Sequence, residues 1–429
     1  MCIRDRSLTA ARRTENFPLD PTSGGHIGIT VLHSSRLLGS DTLYEFNRGE
    51  AEVARYVPIG RRGVLAWRFH VGALFPTRRA PGIEPPEVWT TIVTGMPVEA
   101  HGVRGASAMR LPGVATPLST REAPGGLAAL RLLLPGRTVP ATGAGRRVRT
   151  VWEMASFAEP TAAVGFWASW PARGIEGERT SGYLVTDRVL AKLLSNGKED
   201  RDVRPEALFA RLAHDFSGER ALWRRSFDRT FAGIPEDTRA IAWESALIDV
   251  FSWSALTELE ADPAVRAGFV YLPGLDILRH RLAAGGTADA AGVVAAQAIE
   301  TYVRWLDATV FTSLAPEGPA ERVVIVADPG RSAVAGSEGF VAVFGDSATP
   351  ACVGPTIGDL DVAPLILRTL GLPASREMAG RAPERCFETS PPPLPRIATW
   401  GRRGLPVGGT ASDYDPEMIE RLKSLGYVR

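Results

Sequence analysis

Apolar residues in this chain fall in short unbroken runs, separated by longer stretches with helical spacing. The runs are GVLAWRFH (63–70), AAVGFW (162–167), AGFVYL (267–272), RVVIVA (322–327) and GFVAVFG (339–345). Runs of this length, bounded by Gly, Pro or charge, read as strands buried on both faces. Helical periodicity dominates from Arg204 to about Asp262, returns in ADAAGVVAAQAIETYVRWLDATVFTSL, and closes in IGDLDVAPLILRTLGLP (357–373). EPPEVWTTIVTGMPVEAHGV (84–103) reads as a loop entering a helix. Pro85 and Pro86 suit a first turn, Glu87 faces the positive end of the dipole, and Gly95 with Pro97 stops the helix. The tail DYDPEMIERLKSLGY reads as a helix with Asp415 at the N-cap, Pro416 at N1 and Gly426 past the end.

Apolar strands alternating with long helices predict an α/β fold, with a mostly parallel central sheet flanked by helices on both faces. The strands near 63–67, 163–168, 267–272 and 322–327 are expected in one sheet, with a helical insertion around 200–262. Residues 1–15 are charged and aperiodic, and MCIRDR looks foreign. They are expected to be a non-native or disordered leader, and 16–429 one domain. Residues 104–150 are rich in Gly, Pro and Arg and read as cap material, with a short helix in GLAALRLLLPG.

Composition narrows the function. A net charge of +1 gives no electrostatic footprint for nucleic acid. No run of eighteen apolar residues exists, so no membrane span is expected. Cys2, Cys352 and Cys386 lack CxxC spacing, so neither a disulfide framework nor a cysteine zinc site is indicated. The start of the chain has no apolar signal core. The chain as it stands reads as cytoplasmic, and as exported or anchored if a native N-terminus preceded it.

In a parallel sheet, chemistry belongs in the loops beyond the C-terminal strand ends, here after Trp67, Trp167, Leu272 and Val326. Asp276 and His280 in DILRH are spaced i, i+4 on a helix start, which suits either one divalent cation or an ion pair. Asp328 follows the best strand, at a position equally suited to a ligand or a turn; Asp187 in GYLVTDR is a weaker parallel. His101, before Gly102, reads as a residue that holds its loop by hydrogen bonds. Thr90, Thr91 and Thr94 lie inside the first helix. Thr90 is the one hydroxyl near the start, and its simplest role is a bond to a carbonyl one turn back.

Several segments together suggest a family. WTTIVTGMPVEAHGV, VGFWASWPARG with GYLVTDRV, VYLPGLDILRH, VVIVADPGR, IGDLDVAPLILRTLGLPASREMAGR and EMIERLKSLGYVR resemble, in order, motifs of the alkaline phosphatase superfamily. The likeness is to its type I phosphodiesterase / nucleotide pyrophosphatase branch and covers roughly residues 60–429. It implies a hydrolase of phosphate mono- or diesters, two metal ions (usually zinc), a Thr or Ser nucleophile at a helix start, and a small phosphorylated substrate.

Carried over position by position, the resemblance makes Asp276, His280 and Asp328 metal ligands. The partner of Asp328 is Pro329, which cannot ligate. No GxDG aspartate and no histidine near residue 355 is present. The nucleophile position is Pro85, flanked by Glu84 and Glu87; Glu87 is a weak cation ligand there and Thr90 a weak catalytic substitute. At most one divalent ion, most simply zinc, is expected. The alternative is a catalytically degenerate member that binds a ligand or partner.

Overall fold

The computed structural model describes residues 5–13, 23–34, 46–59, 63–76, 84–111, 117–119, 136–172, 182–283, 290–310, 322–328, 330–331, 339–344, 357–383, 387, 394–403 and 411–428. The described chain is mixed α/β and divides into two compact units after Ile83.

The first unit is an antiparallel meander in the order β1-β2-β3-β4. Its strands are β1 (Asp5–Arg13), β2 (Gly24–Ser34), β3 (Phe46–Ile59) and β4 (Gly63–Pro76). Two expectations bear on this unit. Of the opening residues expected as a non-native or disordered leader, Asp5–Arg13 is ordered, pairing along β2 from Asp5↔Ser34 to Arg13↔His26. The strand at 63–67 does not join the central sheet: all of β4 is spent on a hairpin ladder with β3, from Phe46↔Pro76 to Ile59↔Gly63. β4 is the edge of its sheet and pairs only with its sequence neighbour, a choice of partner the local apolar run does not encode.

The second unit begins at Glu84. It contains α1 (Pro85–Thr94), α2 (Val98–His101), β5 (Ser107–Arg110), β6 (Leu118–Ser119), β7 (Arg137–Pro140), α3 (Val151–Ala155) and β8 (Thr161–Val164). Next come β9 (Tyr183–Val185), α4 (Val189–Leu194), β10 (Val203–Arg204), α5 (Leu208–Thr230), α6 (Glu236–Glu260), β11 (Ala267–Val270) and α7 (Gly274–Ala283). The unit ends with α8 (Ala290–Thr309), β12 (Val323–Ala327), β13 (Phe340–Phe344), α9 (Asp359–Thr369) and α10 (Asp415–Ser424).

The main sheet of this unit runs β10-β9-β8-β11; β9, β8 and β11 are parallel and β10 is an antiparallel edge. Two of the expected strands, β8 and β11, are therefore neighbours. β12 instead pairs antiparallel with β13, so it stands in a separate two-stranded sheet. β5, β6 and β7 form a third, antiparallel sheet. The helix proposed in GLAALRLLLPG lies outside the described residues.

Alternation along β8 explains how helices cover both faces. Ala162 and Val164 point into a core built from α5, α6 and α8, where Phe227, Phe231, Trp243, Tyr302 and Trp305 pack together. Ala163 points the other way, among Val88 and Ile92 of α1, Trp152 of α3, and Val362 and Leu367 of α9. The helices read as an insertion around 200–262 are thus one wall of the core. Residue 415 also departs from its expected role. Tyr414 caps α10 and Asp415 is its first residue, because the Asp415 carboxylate is drawn to Arg188, with Oδ1 accepting from Nη1 at 2.9 Å.

Candidate functional site

α1 forms as its sequence implies, with prolines in the first turn, Glu87 beside them, and Gly95 closing the helix at φ 65°. Its threonines are spent inside the structure. Thr90 is 2% exposed, and its hydroxyl donates to the Pro86 carbonyl at 2.6 Å. Thr94 does the same to Thr90 at 2.6 Å. Thr91 donates to the Glu87 carbonyl at 3.0 Å and meets His101 Nε2 at 3.1 Å. His101 Nδ1 accepts from the Val103 amide at 3.1 Å, so Nε2 carries the proton. Burial, reinforced by Arg146 and Arg104, lowers the His101 pKa to about 3 and keeps the ring neutral. This is the loop-holding histidine that the sequence suggests. Glu87 is buried, and Glu84 Oε2 accepts from the Ala106 amide at 2.5 Å.

Three of the sequence-selected residues lie on the segments that follow β11 and β12. Asp276 and His280 lie on α7, which starts directly beyond the β11 loop. Asp328 follows β12, and its Oδ2 accepts from the Gly330 amide at 3.1 Å, a turn-holding bond. The next residue, Arg331, occupies Asp276. Its backbone amide donates to Asp276 Oδ1 and its Nε to Asp276 Oδ2, each at 2.8 Å. Both carboxylate oxygens of the strongest ligand candidate are bonded to one arginine. The pair is largely shielded, with Arg331 10% and Asp276 18% exposed.

His280 lies beneath the C-terminal tail. Gly426 has φ 76°, and a Cβ there would come within 2.9 Å of His280 Cδ2 and 3.2 Å of Nε2. Arg331 Nη1 donates to the Gly426 carbonyl at 2.9 Å, and its guanidinium carbon stands 3.8 Å from the Tyr427 ring centroid. Tyr427 meets Trp167 edge-on at 4.7 Å. Trp167 Nε1 donates to the Tyr271 hydroxyl at 3.2 Å. Burial, with Tyr427 and Asp276 nearby, raises Tyr271 well above the usual phenol range and holds it neutral.

These residues do not fit the two-metal clamp that the resemblance implies. A clamp needs two ligand sets and a bridging oxygen. Here Asp276 is neutralised by a guanidinium, Pro329 offers no donor, and no hydroxyl stands at residue 85. Among the described residues no group of three or more His, Cys, Asp or Glu gathers as a metal site.

Elsewhere in this unit, a cleft of about 960 Å³ opens between α10, α4 and the β5–β7 sheet. Its walls carry Arg110, Arg137, Arg421, Ser195, Ser412 and Tyr414. Asp413, Asp415, Glu417 and Glu420 line it as well; Asp415 pairs with Arg188 at 2.9 Å and lies 3.9 Å from Arg110, and Glu420 pairs with Lys423 at 2.7 Å.

One buried carboxyl is invisible to motif reading. Asp249 is 0% exposed, accepting from the Gly274 amide and the Tyr302 hydroxyl at 2.8 Å each. Burial outweighs those bonds and raises its pKa to about 7. Gly274 is obligatory, because a Cβ there would lie 2.0 Å from Tyr302 Oη and 2.5 Å from Asp249 Oδ2. Asp187, the residue noted in GYLVTDR, is raised to about 6 by desolvation of its carboxyl, which Arg188 and the Ser169 hydroxyl only partly offset. A lone Asp among the apolar residues of α6 was a signal available in the sequence.

No family model, curated protein or solved structure matches this chain.

Proposed function

We propose that this chain is a non-hydrolytic binding protein, built on the frame of the alkaline phosphatase superfamily in its type I phosphodiesterase / nucleotide pyrophosphatase branch. The ordered likeness of segments over residues 60–429 supports the ancestry, and one observation carries the loss of turnover. Arg331 bonds both oxygens of Asp276, the residue that would otherwise hold a catalytic ion. A fixed guanidinium supplies the counter-charge there without an open coordination position, and it cannot activate a water or clamp a leaving oxygen. Pro85, where a nucleophile is expected, removes the covalent step as well.

The ligand is a small molecule bearing phosphate or carboxylate groups, or a partner segment presenting them. The cleft beside α10 supports this, since Arg110, Arg137 and Arg421 line it together with the hydroxyls of Ser195, Ser412 and Tyr414, beside the carboxylates of Asp413, Asp415, Glu417 and Glu420. Guanidinium forks and hydroxyls are the groups that recognise such oxygens. Incubation with nitrophenyl phosphate mono- and diesters in added zinc should give no hydrolysis above the uncatalysed rate. Adenosine monophosphate at millimolar concentration should raise the melting temperature, and Arg110→Ala should cancel the rise. Hydrolysis abolished by Asp276→Asn would overturn the proposal and restore a working enzyme.

A further inference from the structure

The closing residues of the described chain do more than end a helix. α10 is anchored at its start by the buried Arg188–Asp415 pair, whose side chains are 1% and 8% exposed. After Ser424 the backbone turns at Gly426, whose positive φ and contact with the His280 ring admit no side chain. Tyr427 then lies 8% exposed, against Trp167 and under the Arg331 guanidinium.

This contact carries a built-in weakness. The Tyr427 hydroxyl and Arg331 Nη2 are both buried without a hydrogen-bond partner. Each such atom opposes the contact, because its lost hydration is not replaced. On the helix side the backbone stays bonded, Leu425 N donating to Arg421 O at 3.1 Å and Gly426 N to Lys423 O at 2.9 Å, whereas release of Tyr427 gives up its 2.8 Å bond from N to Leu422 O. Opening beyond Gly426 breaks the ring contact and that one backbone bond, and leaves α10 bonded up to Gly426.

We infer that Gly426–Val428 form a releasable strap over the loops that follow β8, β11 and β12, with Gly426 as its hinge and Arg331 as its catch. In the closed state Tyr427 seals Trp167, and Gly426 covers His280 and Arg331. Release about Gly426 rehydrates the two unpaired donors and opens the Asp276–Arg331 pair to solvent and solutes. The inference rests on this geometry and is independent of whether the chain hydrolyses anything.

Hydrogen exchange read by mass spectrometry, on the full-length chain, tests it. Tyr427→Ala should accelerate exchange across 267–283 and 325–331 at least tenfold while leaving 236–260 unchanged. Tyr427→Phe should slow exchange in the same segments severalfold, since it keeps the ring and removes the unpaired hydroxyl. No change at 267–283 with Tyr427→Ala, or acceleration spread equally over 236–260, would overturn the strap. If Tyr427→Ala does not fold, Tyr427→Phe decides alone: faster exchange than the parent chain overturns the inference, and slower exchange supports it.

Discussion

Arg331 grips Asp276 twice, through its backbone amide and through Nε, each at 2.8 Å, across 55 residues of chain. The first bond fixes the turn after β12 against α7 whatever residue 331 carries; only the second depends on the guanidinium. Arg331→Ala therefore leaves Asp276 one partner and removes the other from a pair that is mostly out of water. The expected loss of stability is about 2 kcal/mol, between that of an exposed ion pair and that of a fully buried one. Arg331→Lys should recover only part of it, since an ammonium cannot bond Asp276 and the Gly426 carbonyl while stacking on Tyr427. Urea unfolding of the three chains, with unchanged m-values, checks the ranking.

Asp249 makes stability depend on pH. Its folded pKa of about 7 lies above the ordinary carboxylate value, so the folded state holds a proton that the unfolded chain gives up. The folded protein binds more protons between those values, so this group's contribution falls as pH rises from about 4 to about 7 and is flat above. The span is on the order of 4 kcal/mol. Asp249→Asn keeps an acceptor for the Gly274 amide and reverses the second bond, Nδ2 donating to the Tyr302 hydroxyl oxygen, with no ionisable group. It should match the parent near pH 4 and exceed it by roughly 2–4 kcal/mol at pH 8. A parent chain whose stability rises over this window relative to the variant would contradict the assignment.

Glu153 behaves in the opposite sense. Burial would raise its pKa, but Arg146, at 2.5 and 2.7 Å, and Arg403 outweigh burial and hold it at about 2. Its contribution is present above the ordinary glutamate pKa and lost as pH falls toward 2. Arg146→Ala strands this carboxylate in the core with Arg403 as its remaining charged neighbour. A loss of about 3–5 kcal/mol at pH 7 is expected, shrinking at pH 3 as the carboxylate takes up a proton. Denaturant melts at the two pH values read this difference directly.

Much of α1 was legible because its signals are local: prolines, an acidic first turn, a glycine stop, and a threonine one turn from a free carbonyl. The same holds for β8 and β11, whose apolar runs needed only each other. What escaped was long-range. DPGR reads as a turn, and nothing in its spacing tells that Arg331 reaches back to Asp276. Tyr427 sits in a tail whose periodicity describes only its own helix. β4 and β12 look like central strands from composition, yet each pairs along one edge only, with its sequence neighbour β3 or β13. Apolar content fixes that a strand is covered; the choice of partner depends on which edge the chain reaches first.

The central claim is that an arginine stands in for the metal at Asp276. Zinc titration calorimetry on chelator-treated protein, followed by metal analysis after desalting, tests it most directly. The account predicts no stoichiometric zinc uptake by the parent chain and no heat change on His280→Ala. Two retained equivalents of zinc, lost together in Asp276→Asn and accompanied by hydrolysis of a nitrophenyl diester, would contradict it.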